Sequence, residues 1–210
     1  ISGLGADERA FEKLNLPEDW NIKHIKWVDP LSNESLEHYS KRLSEQIDRS
    51  STYSFIGLSF GGIIALEMAK FMHPRRIVVL SSLTTQSELP LKYKIAGKFW
   101  LHKMVPSYFY KNPTSLTNWL FGVKNNSDKR LLKMIIEDTP DYFLKWAIDR
   151  ILNWSNNVRP DDVIHIHGDK DKLLPVHLTK ADVIIKNAGH LMVYTHADQV
   201  SKTLTEVLNR

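Results

Sequence analysis

The sequence predicts an α/β fold, a mainly parallel sheet flanked by helices and interrupted by a helical insertion. Three observations carry this. Short apolar segments alternate with helical stretches through the first 85 residues, the alternation returns after residue 155, and residues 86–155 show no strand-like segment. A strand, helix, strand, helix, strand order demands right-handed crossovers, which lay the strands parallel and put helices on both faces. The expected organisation is therefore a core formed by residues 1–85 and 156–210, with 86–155 inserted into it.

Taken in order, Ile1 to Asp7 reads as the end of a strand followed by a Gly-rich loop, leading into a helix around Glu8 to Leu14. A strand is expected over Ile22 to Val28, a helix over Glu34 to Asp48, a strand over Thr52 to Ile56, a helix over Phe60 to Met72 and a strand over Arg76 to Ser81. In 86–155, four helices are expected, separated by Pro106, Pro113, the Asn125-Asn126 pair and Pro140. Strands resume at Val163 to His167 and Val183 to Lys186. The last segment, Ala197 to Leu208, sets Val200, Leu204, Val207 and Leu208 at helical spacing and should close the sheet. The inserted third holds 12 of the 21 aromatic residues, among them Trp100, Trp119, Trp146 and Trp154. Most of these rings are expected to pack the insertion onto the sheet, and some to line a pocket.

Bulk properties narrow the function. A chain of 210 residues suits one core, and no apolar run approaches the roughly 18 residues of a membrane span. Without cysteine, disulfides, thiolate metal sites and cysteine nucleophiles drop out together. The net charge of +4 is local: residues 86–155 hold 11 Lys/Arg against 6 Asp/Glu, the remainder 17 against 18. No basic stripe of the kind that tracks phosphates is visible, so no nucleic-acid partner is expected, and contact of the basic, aromatic insertion with a membrane is a minor alternative. The chain opens at Ile1 rather than methionine, so residues ahead of it are expected; a cytoplasmic location is the default, and oligomeric state leaves no mark in the sequence.

The chemistry lies at strand ends. Gly57-Leu58-Ser59-Phe60-Gly61 falls between an expected strand and an expected helix. A nucleophile held on such a sharp turn needs glycine two positions away on either side, where strand and helix approach too closely for a side chain. Serine needs a base, and the base needs an orienting acid. The strand Val163 to His167 runs into Gly168-Asp169-Lys170-Asp171, and Val183 to Lys186 into Asn187-Ala188-Gly189-His190. Both are carboxyl ends of parallel strands, where active sites collect. Asp171, with Pro175 soon after, is chosen as the orienting acid and Asp169 as a turn residue. His190 is chosen as base among nine histidines. His165 and His167, two apart on one strand face, are read as packing and hydrogen bonding; without a third ligand no metal is expected. Oxyanion donors would be the backbone N–H of Phe60, just after the nucleophile, and of Leu4 in the Gly-rich loop. That loop lacks the third glycine of a dinucleotide site.

With Gly-Leu-Ser-Phe-Gly-Gly at 57–62, His-Gly-Asp-Lys-Asp at 167–171 followed by Leu-Leu-Pro, and Ala-Gly-His at 188–190, the sequence resembles the α/β-hydrolase superfamily over nearly its whole length. It is most similar to small bacterial hydrolases whose front end carries Gly-Leu-Gly-Ala-Asp-Glu, here residues 3–8. The resemblance implies a serine hydrolase acting on an ester, thioester or related small acyl substrate, no cofactor, and a helical cap in 86–155. The aromatic content of that cap favours an apolar or aromatic part in the substrate. Two features depart from the family: Ser2-Gly3 stands where many members have His-Gly, and five strands are visible against eight. Acyl transfer or lyase chemistry on the same triad, or ligand binding with little turnover, are the alternative functions. Dehalogenase and epoxide-hydrolase members of the family carry aspartate at the position of Ser59.

Overall fold

The computed structural model describes residues 1–106, 108, 111 and 113–209. Its centre is a sheet of four parallel strands in the order β1-β2-β3-β4: Phe55–Leu58, Ile77–Leu80, Val163–Gly168 and Val183–Ile185. The register sets Gly57 opposite Val79, Leu80 opposite Ile166 and Gly168 opposite Ile185, so β1, β3 and β4 end at nearly one level. β2, Ile-Val-Val-Leu, is buried at every position, as a strand covered on both faces must be.

One apolar layer joins the sheet to helices α1 (Leu36–Ser44) and α2 (Phe60–Ala69). α1 starts where the Ser35 hydroxyl accepts from the His38 N–H at 3.1 Å. It turns Tyr39 and Leu43 onto α2. α2 is buried along nearly its whole length, and its one carboxylate, Glu67, accepts from the indole of Trp154 at 2.7 Å and from Lys70. The opposite layer holds Leu58, Val78, Leu80 and Ile166 together with residues of the later helices.

Residues 86–155 contain helices α3 (Leu91–Lys98), α4 (Ser115–Phe121), α5 (Asn126–Asp138) and α6 (Asp141–Leu152), and no strand among the described residues. α5 sends Leu131, Leu132 and Ile135 to the second layer, while α6 sends Phe143 and Ala147 to the first. The stretch therefore packs against both faces. The short α7 (Met192–Thr195) and the amphipathic α8 (Ala197–Leu208) complete the second layer through Val200, Leu204 and Val207. No helix among the described residues is long and apolar enough to cross a membrane.

Two elements differ from expectation. Ile22–Val28 is not a strand. The free edge of β1 is taken by Ile1, whose nitrogen donates to Ile56 O at 2.8 Å and whose carbonyl accepts from Leu58 N at 3.0 Å. The backbone of 22–28 turns to α1 and the residues after it. The Gln46 side chain accepts from the backbone N–H of Lys26 and donates to its carbonyl, and the Tyr39 hydroxyl donates to Val28 O at 2.7 Å. Of the five strands expected, four form the sheet, and the strand end expected separately at Ile1 is a single-residue pairing with β1. The helix expected from Glu8 to Leu14 is a 3₁₀ turn, Glu8–Phe11, capped by Asp7.

Candidate active site

The turn from β1 into α2 carries Ser59 at φ 51° and ψ −116°, a conformation that costs free energy for any residue with a Cβ. The flanking glycines make the turn possible. A Cβ on Gly57 would lie 2.5 Å from Gly61 O and 2.6 Å from Gly62 Cα; one on Gly61 would strike the carbonyls of Ile1 and Ser2. The turn is tied to β2, as Ser59 N donates to Leu80 O at 2.8 Å and the Ser82 hydroxyl donates to Ser59 O at 2.6 Å.

The loops after β3 and β4 meet this turn. Asp169 N donates to Ile185 O and Lys170 N to Ala188 O, so the two loops run together, and Asp171 and His190 lie side by side. His190 Nδ1 is 2.7 Å from Asp171 Oδ2, and its Nε2 is 2.9 Å from Ser59 Oγ. Asp171 Oδ1 accepts the backbone N–H of Leu173 at 2.9 Å and of Leu174 at 2.8 Å. Burial pushes the Asp171 carboxyl up, but the charge of His190 and hydrogen bonds from His167 and His190 outweigh it and hold the group well below the usual carboxylate range. An ionised Asp171 can only accept, so Nδ1 carries the His190 proton and Nε2 offers its lone pair to the Ser59 hydroxyl. His190 and Asp171 are buried, while Ser59 is partly exposed.

Behind the acid stand two further histidines. His167 Nε2 lies 2.8 Å from Leu174 O, to which it donates, and 3.2 Å from Asp171 Oδ2. Its Nδ1 is then the acceptor, and His165 Nε2 donates to it at 2.9 Å. Both rings are fully buried. Burial, with His167 alongside, pushes His165 down to about 3, so it is neutral. Among the described residues no group of three or more His, Asp or Glu is arranged to hold a metal ion.

Phe60 begins α2, where the first N–H groups of a helix find no acceptor within it. The loop holding Leu4 runs beside Ser59: a Cβ on Gly3 would sit 3.7 Å from Ser59 Cβ. Trp27 fixes this loop, its indole donating to Ala6 O at 2.8 Å and Gly3 O at 3.2 Å, while the Ser2 hydroxyl also bonds Ala6 O. Among the described residues neither the Phe60 nor the Leu4 N–H has an acceptor.

Aromatic residues frame the site. Phe121, ending α4, meets His190 edge-on at 5.4 Å and 86°, and its carbonyl accepts from Leu191 N at 3.1 Å. Gly122 follows at φ 74°, so close to Gly189 that a Cβ would come within 2.8 Å of the Gly189 Cα. Lys172 lies over the Trp119 ring at 3.8 Å. On the far side, Phe60 packs between Trp27 and Trp146. Trp146 and Trp154 thus pack inward as expected; Trp100 and Trp119 stay exposed.

Of the five residues singled out in the sequence, Ser59, His190, Asp171 and Phe60 meet at one edge of the sheet, and Leu4 follows Gly3, which lies beside Ser59. Sequence reasoning passed over His167 as a partner of Asp171, and Ser82. For His167 a signal existed: it ends the same strand that delivers Asp171.

No family model matches the chain, and no curated protein matches it in sequence. Solved structures do match in shape. The non-heme bromoperoxidase candidate BpoC from Mycobacterium tuberculosis H37Rv is 15% identical, with 100% of this chain and 90% of that one covered at a TM-score of 0.70. A thermophilic esterase from Thermogutta terrifontis is 14% identical, covering 99% and 87% at 0.64. A lipase-esterase related protein from Clostridium acetobutylicum is 15% identical, covering 99% and 92% at 0.62. At such identities the likeness is one of fold.

Proposed function

Because this chain has the α/β-hydrolase fold, we propose that it is a serine hydrolase acting on a carboxylic ester or related acyl substrate, with Ser59, His190 and Asp171 as its catalytic triad. The observation that carries this reading is the unbroken chain from Ser59 Oγ through His190 to Asp171, at 2.9 and 2.7 Å, built on a strained turn. A serine in this conformation with no chemical role would cost stability for nothing.

In the proposed reaction His190 Nε2 takes the Ser59 proton as Oγ bonds to the substrate carbonyl carbon. The carbonyl oxygen becomes an oxyanion held by the N–H groups of Phe60 and Leu4, and losing one such donor would cost about 100- to 1,000-fold in turnover. The carbon–oxygen bond to the leaving group then breaks, and the proton on His190 passes to the departing alkoxide. Water enters, gives its proton to the same imidazole and attacks the acyl-enzyme; release of the acid returns the proton to Ser59. Asp171 stays ionised, fixing the His190 tautomer and offsetting the imidazolium charge. Residues 86–155 would act as a cap, and Phe121 beside His190 favours an acyl group with an apolar or aromatic part.

The test is intact-mass analysis of the protein and its Ser59→Ala variant after treatment with a fluorophosphonate. One adduct on the wild type and none on the variant is the expected result. Folded wild-type protein that takes no adduct would overturn the reading.

A further inference from the structure

Residues 91–104 present an outward face that the core does not explain. Leu91 and Ile95 lie four apart on α3, Phe99 follows four later, and Trp100, Leu101 and Met104 continue beyond; all six are exposed, Leu91 at 71% and Met104 at 80%. Six of the larger apolar side chains in a run of 14 residues exceed the scattered exposure normal for a surface. Nor is this a loose segment whose packing is undefined. Its rear is pinned to α6: Gly97 sits where a Cβ would come within 2.8 Å of Leu152 O, and His102 bonds Asp149 at 2.9 Å. The fold therefore fixes which side faces out.

The charges on this face have one sign. Between Glu88 and Asp128 the sequence has six lysines and no carboxylate. Lys92 and Lys98 are exposed beside the apolar residues, and Lys103 lies 3.6 Å from the Trp100 ring centroid, at the same time 3.6 Å from Asp149. Lys92 and Lys98 are likewise near the rings of Tyr93 and Phe99. A second copy would be a poor occupant: a two-fold contact sets the same lysines against each other, with no acid in the segment to pair them. Aromatic rings at the surface, aliphatic residues beside them and lysines that keep their charge outward on long stems match the headgroup depth of a bilayer.

We propose that the 91–104 face is a docking surface for an anionic lipid bilayer, taking Phe99, Trp100 and Met104 with their aliphatic neighbours into the headgroup layer while Lys92, Lys98 and Lys103 meet lipid phosphates. This stands whether or not Ser59 is a nucleophile.

The experiment is co-sedimentation of the full chain with phosphatidylcholine vesicles, with and without phosphatidylglycerol, at low and high salt. The variants are a Phe99→Ser, Trp100→Ser, Met104→Ser triple and a Lys92→Gln, Lys98→Gln double; all five side chains are exposed, and thermal melts report whether the variants fold. Binding to the anionic vesicles alone is expected, weakened by salt as the Debye length shrinks from about 10 Å at 0.1 M. The lysine pair should lower it roughly 30-fold. The apolar triple should abolish it with the melt unchanged. Three results overturn the proposal: no pelleting with anionic vesicles, equal pelleting with neutral ones, or no lipid binding together with a concentration-dependent dimer that the apolar triple dissolves, which would assign the face to a second copy.

Discussion

Asp171 accepts two backbone N–H groups on one oxygen and faces two imidazoles with the other. Replacing it by asparagine keeps the shape but puts an amide opposite His190 Nδ1, so the ring can settle in the tautomer whose Nε2 carries hydrogen and cannot receive the Ser59 proton. Asp171→Asn should lower kcat by about four orders of magnitude with little change in KM, measured on any ester the wild type turns over. Ser59 and His190 were legible in the sequence because the glycines around them encode backbone constraints that few other settings share. Leu4 could be singled out only through its loop, since a backbone N–H leaves no side-chain signature. The approach of His167 to Asp171 was half legible: His167 sits near the end of the strand that delivers Asp171, but the contact itself depends on how the loop from 169 to 174 folds back over that strand.

At the scale of elements, the turn between β1 and α2 admits no added methyl at Gly57, where Gly61 O and Gly62 Cα would stand at 2.5 and 2.6 Å. Both obstacles are backbone, so nothing can rotate away. Gly57→Ala should lose about 1–3 kcal/mol or more in a urea melt and should lose fluorophosphonate labelling while still folded at low urea. The four strands of the sheet were visible as apolar runs bounded by turns, and the helices of 86–155 by their proline and asparagine breaks. Ile22–Val28 deceived because apolar content cannot tell a paired strand from a segment whose backbone bonds to side chains. The partners that decide the matter, Gln46 and Tyr39, lie on or just after α1.

At the scale of the molecule, the buried His165 couples stability to pH. His165 titrates near 3 in the fold against about 6.5 in an unfolded chain, so the unfolded state binds the extra proton between these values. Its contribution is complete above about pH 6.5 and falls by about 1.4 kcal/mol per pH unit as the medium is acidified toward 3. Asp171 works on a lower window, its contribution present above about pH 3.9 and lost below it. Denaturant melts between pH 6.5 and 4.5 should show this slope in the wild type and a shallower one in His165→Asn, whatever the variant's stability at pH 7. Neighbouring strands β2 and β3 are joined through the whole helical stretch, as β2 ends at Leu80 and β3 begins at Val163. Doubling such a connection costs only about 0.6 kcal/mol of closure entropy. The segment threaded between two adjacent strands can therefore be lengthened, trimmed or exchanged at small entropic cost while the sheet and its strand-end loops stay as they are.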